Sequence, residues 1–171
     1  MIENPKLLCE GGRVFPIPTH PRHSVTRICD GMIVENCRKL AVVWSSNGVE
    51  RRFDFPFLSY YNFALPSIDL TVMIVVYPET ESNKKRGAII LDENGNEICR
   101  PHFPKIITPP PGARLRADTR YSFMQANFSD IEDHIEFWVD SPDWIVDFFV
   151  RCPFNYKTLE WSNEYQKIGR L

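Results

Sequence analysis

The sequence predicts a mainly β fold, an antiparallel sandwich or barrel with one or two short helices, with α+β as the alternative. Three observations carry this. Leu70 to Tyr77 is rich in β-branched residues (Thr71, Val72, Ile74, Val75, Val76), which lose less χ1 freedom in a strand than in a helix. Two Asn-Gly dipeptides each sit between apolar runs, the strongest short-range hairpin signal, because both residues tolerate positive φ. The remaining apolar segments are short and linked by turn-like stretches, which gives six to eight strands.

The central stretch is Leu70 to Arg100. Its first run is apolar throughout rather than alternating, so it should be covered on both faces. Pro78 ends it, since proline cannot donate to a ladder. After the polar loop Glu79–Arg86, Gly87–Leu91 and Glu97–Arg100 pair across Asp92-Glu-Asn-Gly-Asn96. Asp92, Asn94 and Asn96 could also suggest a calcium loop, but the glycine is misplaced for an EF-hand and no Glu closes it.

Residues 1–24 read as loop, broken by Gly11-Gly12, Pro16, Pro18 and Pro21. A zinc site built from His20, His23, Cys29 and Cys37 is conceivable, although the Cys29–Cys37 gap exceeds the usual ligand spacing. Leu40–Trp44 and Val49–Phe55 form the other Asn-Gly hairpin, with Val49, Arg51, Phe53 and Phe55 on one face and Glu50, Arg52 and Asp54 on the other. Pro56 to Pro66 reads as a short helical turn or packed aromatic loop. Residues 101–118 form a proline-rich crossover with Pro109-Pro-Pro111, extended and polyproline-like. Arg120–Phe128 and His134–Val139 are strands. Ser141-Pro142-Asp143 has the form of a helix start, with Trp144, Ile145, Phe148 and Phe149 at helical spacing up to Pro153. The same WIVDFFVRC also fits a buried strand. In the tail, Leu159, Trp161 and Tyr165 should fold back onto the body.

A chain of 171 residues fits one domain, 1–171. A net charge of −2 argues against a general nucleic-acid binder. No apolar run reaches the ~18–20 residues that span a bilayer, and MIENPKLLCEGG has no signal-peptide pattern. The five cysteines, Cys9, Cys29, Cys37, Cys99 and Cys152, form no tight framework, so reduced thiols and a cytoplasmic location are expected.

No phosphate loop, nucleophile elbow or His-Glu-x-x-His occurs, and no cofactor or metal is expected. Charge is the uneven feature. From Asp130 to Asp147 there are seven acids, Asp130, Glu132, Asp133, Glu136, Asp140, Asp143 and Asp147, and no Lys or Arg. Trp138 and Trp144 are interleaved with them. One reading is a solvated acidic face with its aromatics inside. The sharper one is a partner-binding surface, where acids steer a basic protein and a tryptophan supplies desolvated contact.

The stretches AVVWSSNGVERRFDFP, TVMIVVY and GAIILDENGNEICRPHFP, between residues 40 and 104, resemble in style the small cytoplasmic immunity proteins of bacterial polymorphic-toxin systems. That resemblance implies a non-enzymatic protein that binds one toxin domain and blocks it, here through the acidic stretch if the toxin is basic and nuclease-like. Two alternatives stand beside it: an enzyme of β-rich fold whose site is assembled from distant positions, marked by His102 or His134 in a deep pocket, and a self-assembling β-sandwich.

Overall fold

The computed structural model describes residues 1–20, 37–77, 87–113, 119–142, 144 and 148–170. Thirteen strands among them make three antiparallel sheets. The first contains β1 (Glu3–Cys9), β2 (Val14–Pro16), β3 (Lys39–Ser46) and β4 (Val49–Ser59), in the order β2-β1-β3-β4. The second runs β5 (Phe63–Pro66), β6 (Val72–Tyr77), β7 (Gly87–Asp92), β8 (Glu97–Cys99). The third contains β9 (Ser122–Phe128), β10 (His134–Asp140), β11 (Phe148–Asn155), β12 (Glu160–Trp161) and β13 (Lys167–Arg170). Its order is β12-β11-β10-β9, with β13 also on β11. The mainly β expectation therefore holds.

Every residue of β6 is buried. β5 and β7 flank it, and β4 and β9 of the other two sheets pack against it. This explains why its sequence shows no polar alternation. One contiguous core draws on all three sheets.

Both Asn-Gly hairpins form. Asn47 and Gly48 take φ of +51° and +72° between β3 and β4, the positive pair that matches strand twist. Between β7 and β8, Asp92 Oδ1 accepts from the amides of Asn94 and Asn96, both at 2.8 Å. That carboxylate therefore closes a turn. β4 alternates as expected, with Arg51, Phe53 and Phe55 on the more buried side.

Four expectations are corrected. Within the N-terminal segment, Glu3–Cys9 and Val14–Pro16 are strand rather than loop, and residues 21–24 lie outside the described residues. Pro5 is tolerated because Glu3 pairs with Ser45 and Lys6 with Val43, which leaves Asn4 and Pro5 together opposite Trp44. In that bulge Asn4 takes φ +48°, and the Pro5 carbonyl accepts from Ile17 at 2.8 Å. Residues 56–59 and 63–66 are likewise strand, joined by a turn at 60–62. β4 is an edge and runs through Pro56, where the register jumps from Ala41–Asp54 to Lys39–Ser59, so no ladder bond is required of the proline.

The 141–152 helix is replaced from Phe148 onward by β11. Val150, Cys152 and Phe154 alternate into the core, and six consecutive residues pair with β10. Pro153 sits inside this strand because its carbonyl side, which accepts from Ser162, is also the side of its missing N–H. That side faces the gap between β12 and β13.

Finally, Cys9 and Cys37 are joined as a disulfide, while Cys99 and Cys152 remain thiols. The cysteine pattern thus no longer argues for a reducing compartment. Cys37 is also removed as a zinc ligand; His23 and Cys29 lie outside the described residues. In the crossover, Pro101, Pro104, Ile107 and Pro110 are buried, the three-residue period of a polyproline helix.

Candidate functional site

β10 divides the acidic stretch between two faces. Ile135, Phe137 and Val139 point into the core, and Glu136, Trp138 and Asp140 occupy the opposite face. On that face Trp138 stacks on Phe149 of β11, ring centres 4.1 Å apart and 17° from parallel. Phe149, only 3% exposed, lies in turn over Gly169 of β13, where a Cβ would fall 2.3 Å from the ring. Glu136 is 8% exposed and faces Arg151 at 3.5 Å. Burial raises its carboxyl above the ordinary value, against the pull of Arg151, the Trp138 indole and Lys167. The indole N–H favours the ionised form without closing a well-formed hydrogen bond of its own. Asp140, half-buried, accepts from the Ser141 amide at 2.6 Å and is raised by burial.

The other members of the stretch separate further. Asp130 and Glu132 are exposed in the β9–β10 turn. Asp133, at φ +57°, turns the chain there and accepts from the Tyr156 hydroxyl at 3.4 Å. Trp144 is 6% exposed and packs edge-on against Tyr121, 5.9 Å away. It belongs to the core, as its large apolar area favours. Asp143 and Asp147 lie outside the described residues. What this element leaves at the surface is the Asp130–Glu132 turn, with Trp138 and Asp140 partly exposed.

Two polar constellations escaped the sequence reading because their members are remote in the chain. Asp69 accepts from Ser67 Oγ at 2.6 Å, Thr71 Oγ1 at 2.8 Å and Lys157 Nζ at 2.5 Å. Burial pushes its carboxyl up, but these donors outweigh that and hold it well below the usual range. The Tyr156 hydroxyl beside it is pushed up by burial, Asp69 and Asp133. The group ties the β5–β6 turn to the β11–β12 turn, its donors and acceptors occupied by one another.

The second constellation is His134, which is buried. Nδ1–H donates to the Glu132 carbonyl at 2.5 Å, and in the neutral ring Nε2 accepts from Ser162 Oγ at 2.8 Å. A Ser–His contact suggests nucleophilic chemistry. Here a carbonyl rather than a carboxylate holds the ring, and the Ser162 amide is committed to Pro153. The pair locks the start of β10 to the chain after β12.

His102 instead lines an open groove of about 490 Å³ between residues 99–105 and 159–163. Phe103, Phe154 and Trp161 are its aromatic side chains, and Cys99 and Glu160 also border it. Burial and Glu97 push the Cys99 thiol up, opposite to what a nucleophilic cysteine needs. In the tail only Trp161 packs inward as expected, 4.9 Å from Phe154. Leu159 and Tyr165 are exposed.

No protein-family model matches the chain, and no curated protein does. Its fold is similar to that of a chain in the solved structure of Tne2 in complex with Tni2. The TM-score is 0.64 over 100% of this chain and 99% of that one, at 8% sequence identity. At that identity the likeness is one of fold.

Proposed function

We propose that this protein works by binding another protein, as an immunity-type inhibitor of a basic, nuclease-like toxin. The observation that carries the reading is the end-to-end fold likeness to a chain found in a two-protein complex. The resemblance of residues 40–104 to immunity proteins supports it from the sequence side. Within this reading the acidic contact is the β9–β10 turn, where Asp130 and Glu132 are solvent-exposed and can steer a basic partner. Trp138 and Asp140 border it on the neighbouring sheet face, and Asp143 and Asp147 extend the same run of acids in sequence.

The test is affinity capture from native lysate, identification by mass spectrometry, and reconstitution from purified components. The expected result is a stoichiometric complex, weakened about tenfold or more by Asp130→Lys with Glu132→Lys, with a salt dependence that falls in the same variant. Failure of any captured protein to re-form a complex would overturn the binding reading. An unchanged affinity in the double variant would remove the turn from the interface.

A further inference from the structure

We propose that the open edge of β4 pairs, antiparallel, with the same edge of a second copy of this chain, about a two-fold axis at Phe53. Arg52 of each copy then lies opposite Asp54 of the other. This pairing stands or falls independently of the partner-binding reading above.

The edge is long and its backbone is unspent. β4 has 11 residues, against about 5–6 for an ordinary strand, and its sheet ends with it. Asn47-Gly48 is a two-residue turn, so Ser46 and Val49 exchange ladder bonds. With the antiparallel period of two, so do Trp44 with Arg51 and Val42 with Phe53. The N–H and C=O groups of Glu50, Arg52 and Asp54 therefore point away from β3. Among the described residues no other strand or turn bonds to them, and their side chains are exposed. Such a row of donors and acceptors is a template for another strand.

Charge order selects the occupant. Edge charges ordinarily keep other strands away. Here Arg52 bonds Asp54 of its own chain, Nη2 at 2.6 Å and Nε at 2.8 Å. The pair is neutral in sum, so it attracts no charged segment in general. It fits a strand that carries the same pair in the opposite direction, which is what an antiparallel second copy presents. The axis is fixed by the same rule. Placed at Glu50, Arg51, Arg52 or Asp54, it sets that residue against its own copy, like charge on like charge. Placed at Phe53, it sets each Arg52 on the other copy's Asp54, and the within-chain and cross-strand pairs close a square of alternating charge. Each Arg52–Asp54 pair then exchanges both ladder bonds, and the half-buried Phe53 meets its copy where side chains approach most closely, a favourable aromatic pair. Past Asp54 the register on β3 jumps and Pro56 has no N–H, so the paired segment is 51–55. The resulting interface is isologous and closed.

The experiment is sedimentation velocity of the whole protein from about 10 µM to about 1 mM, with ¹⁵N–¹H spectra over the same range. A single strand pair is smaller than a standard interface, so a dimer with a dissociation constant on the order of 100 µM is expected. The amides of Arg52 and Asp54 should shift with concentration. Arg52→Glu and Asp54→Arg each set like charges opposite one another twice, and each should weaken the dimer at least about tenfold. An equimolar mixture of the two variants should regain the parent's affinity. There the Arg52→Glu carboxylate faces the Asp54→Arg guanidinium, and Asp54 of the first faces Arg52 of the second. A monomer at about 1 mM, undiminished self-association in either variant, no recovery in the mixture, or concentration-dependent shifts confined to other residues would each overturn the proposal.

Discussion

Gly169 shows how much one missing Cβ can decide. Three atoms of the Phe149 ring would lie 2.3–2.9 Å from a Cβ at this position, and the ring cannot swing away without leaving its stack on Trp138. Gly169→Ala should therefore cost about 1–3 kcal/mol, the usual penalty for overpacking, seen as a lower urea midpoint at unchanged m-value. Two carboxyls give opposite pH dependences. Asp69 is held below its ordinary 3.8, so its contribution is complete above about pH 4 and is lost as pH falls through the native value. Glu136 is raised above 4.5; its contribution is complete below the unfolded value and fades as pH rises through the native one. Denaturant midpoints followed from pH 2 to pH 7 test both. Asp69→Asn should flatten the acid limb, and Glu136→Gln should remove a loss of stability on going up from about pH 4.5.

At the scale of elements, the two hairpins follow from local chemistry alone. Gly95 takes φ +88° beneath the Trp44 ring, so Gly95→Ala should cost about 1–2 kcal/mol through backbone strain, measured by thermal or urea unfolding. The same local reasoning recovered β6 and β10, because each carries its own pattern: two-sided burial or alternation. It missed β1, β2 and β5, where prolines and glycines obscure the strand and only bulges and edge positions excuse them. Phe148–Asn155 was ambiguous for a different reason. A continuous apolar run satisfies both periods, and pairing with β10, a long-range event, decides between them. The acidic stretch was visible as charge, but its division into an exposed turn, a buried Glu136 and a core Trp144 depends on strand parity and tertiary cover. The Asp69 and His134 networks join residues 88 and 28 positions apart, beyond any motif.

For the whole molecule, the Cys9–Cys37 bridge closes a loop at a sequence separation of 28. Loop-closure entropy assigns it about 3–4 kcal/mol. Cys9→Ser with Cys37→Ser should lose roughly that amount in unfolding under non-reducing conditions, and dithiothreitol should lower the parent protein to the same level. Buried Cys152, its thiol pushed up to about 12 by burial and Glu136, should resist alkylation at neutral pH until the chain unfolds. On the proposed reading, function at this scale rests on a surface, the acidic turn that precedes β10 on the third sheet. Isothermal titration of the captured and purified partner into this protein tests that directly. The account predicts saturable one-to-one binding with a dissociation constant in the nanomolar range typical of tight, specific complexes, weakened by Asp130→Lys with Glu132→Lys. Absence of saturable heat at micromolar concentrations, with the partner shown to be folded, would contradict it.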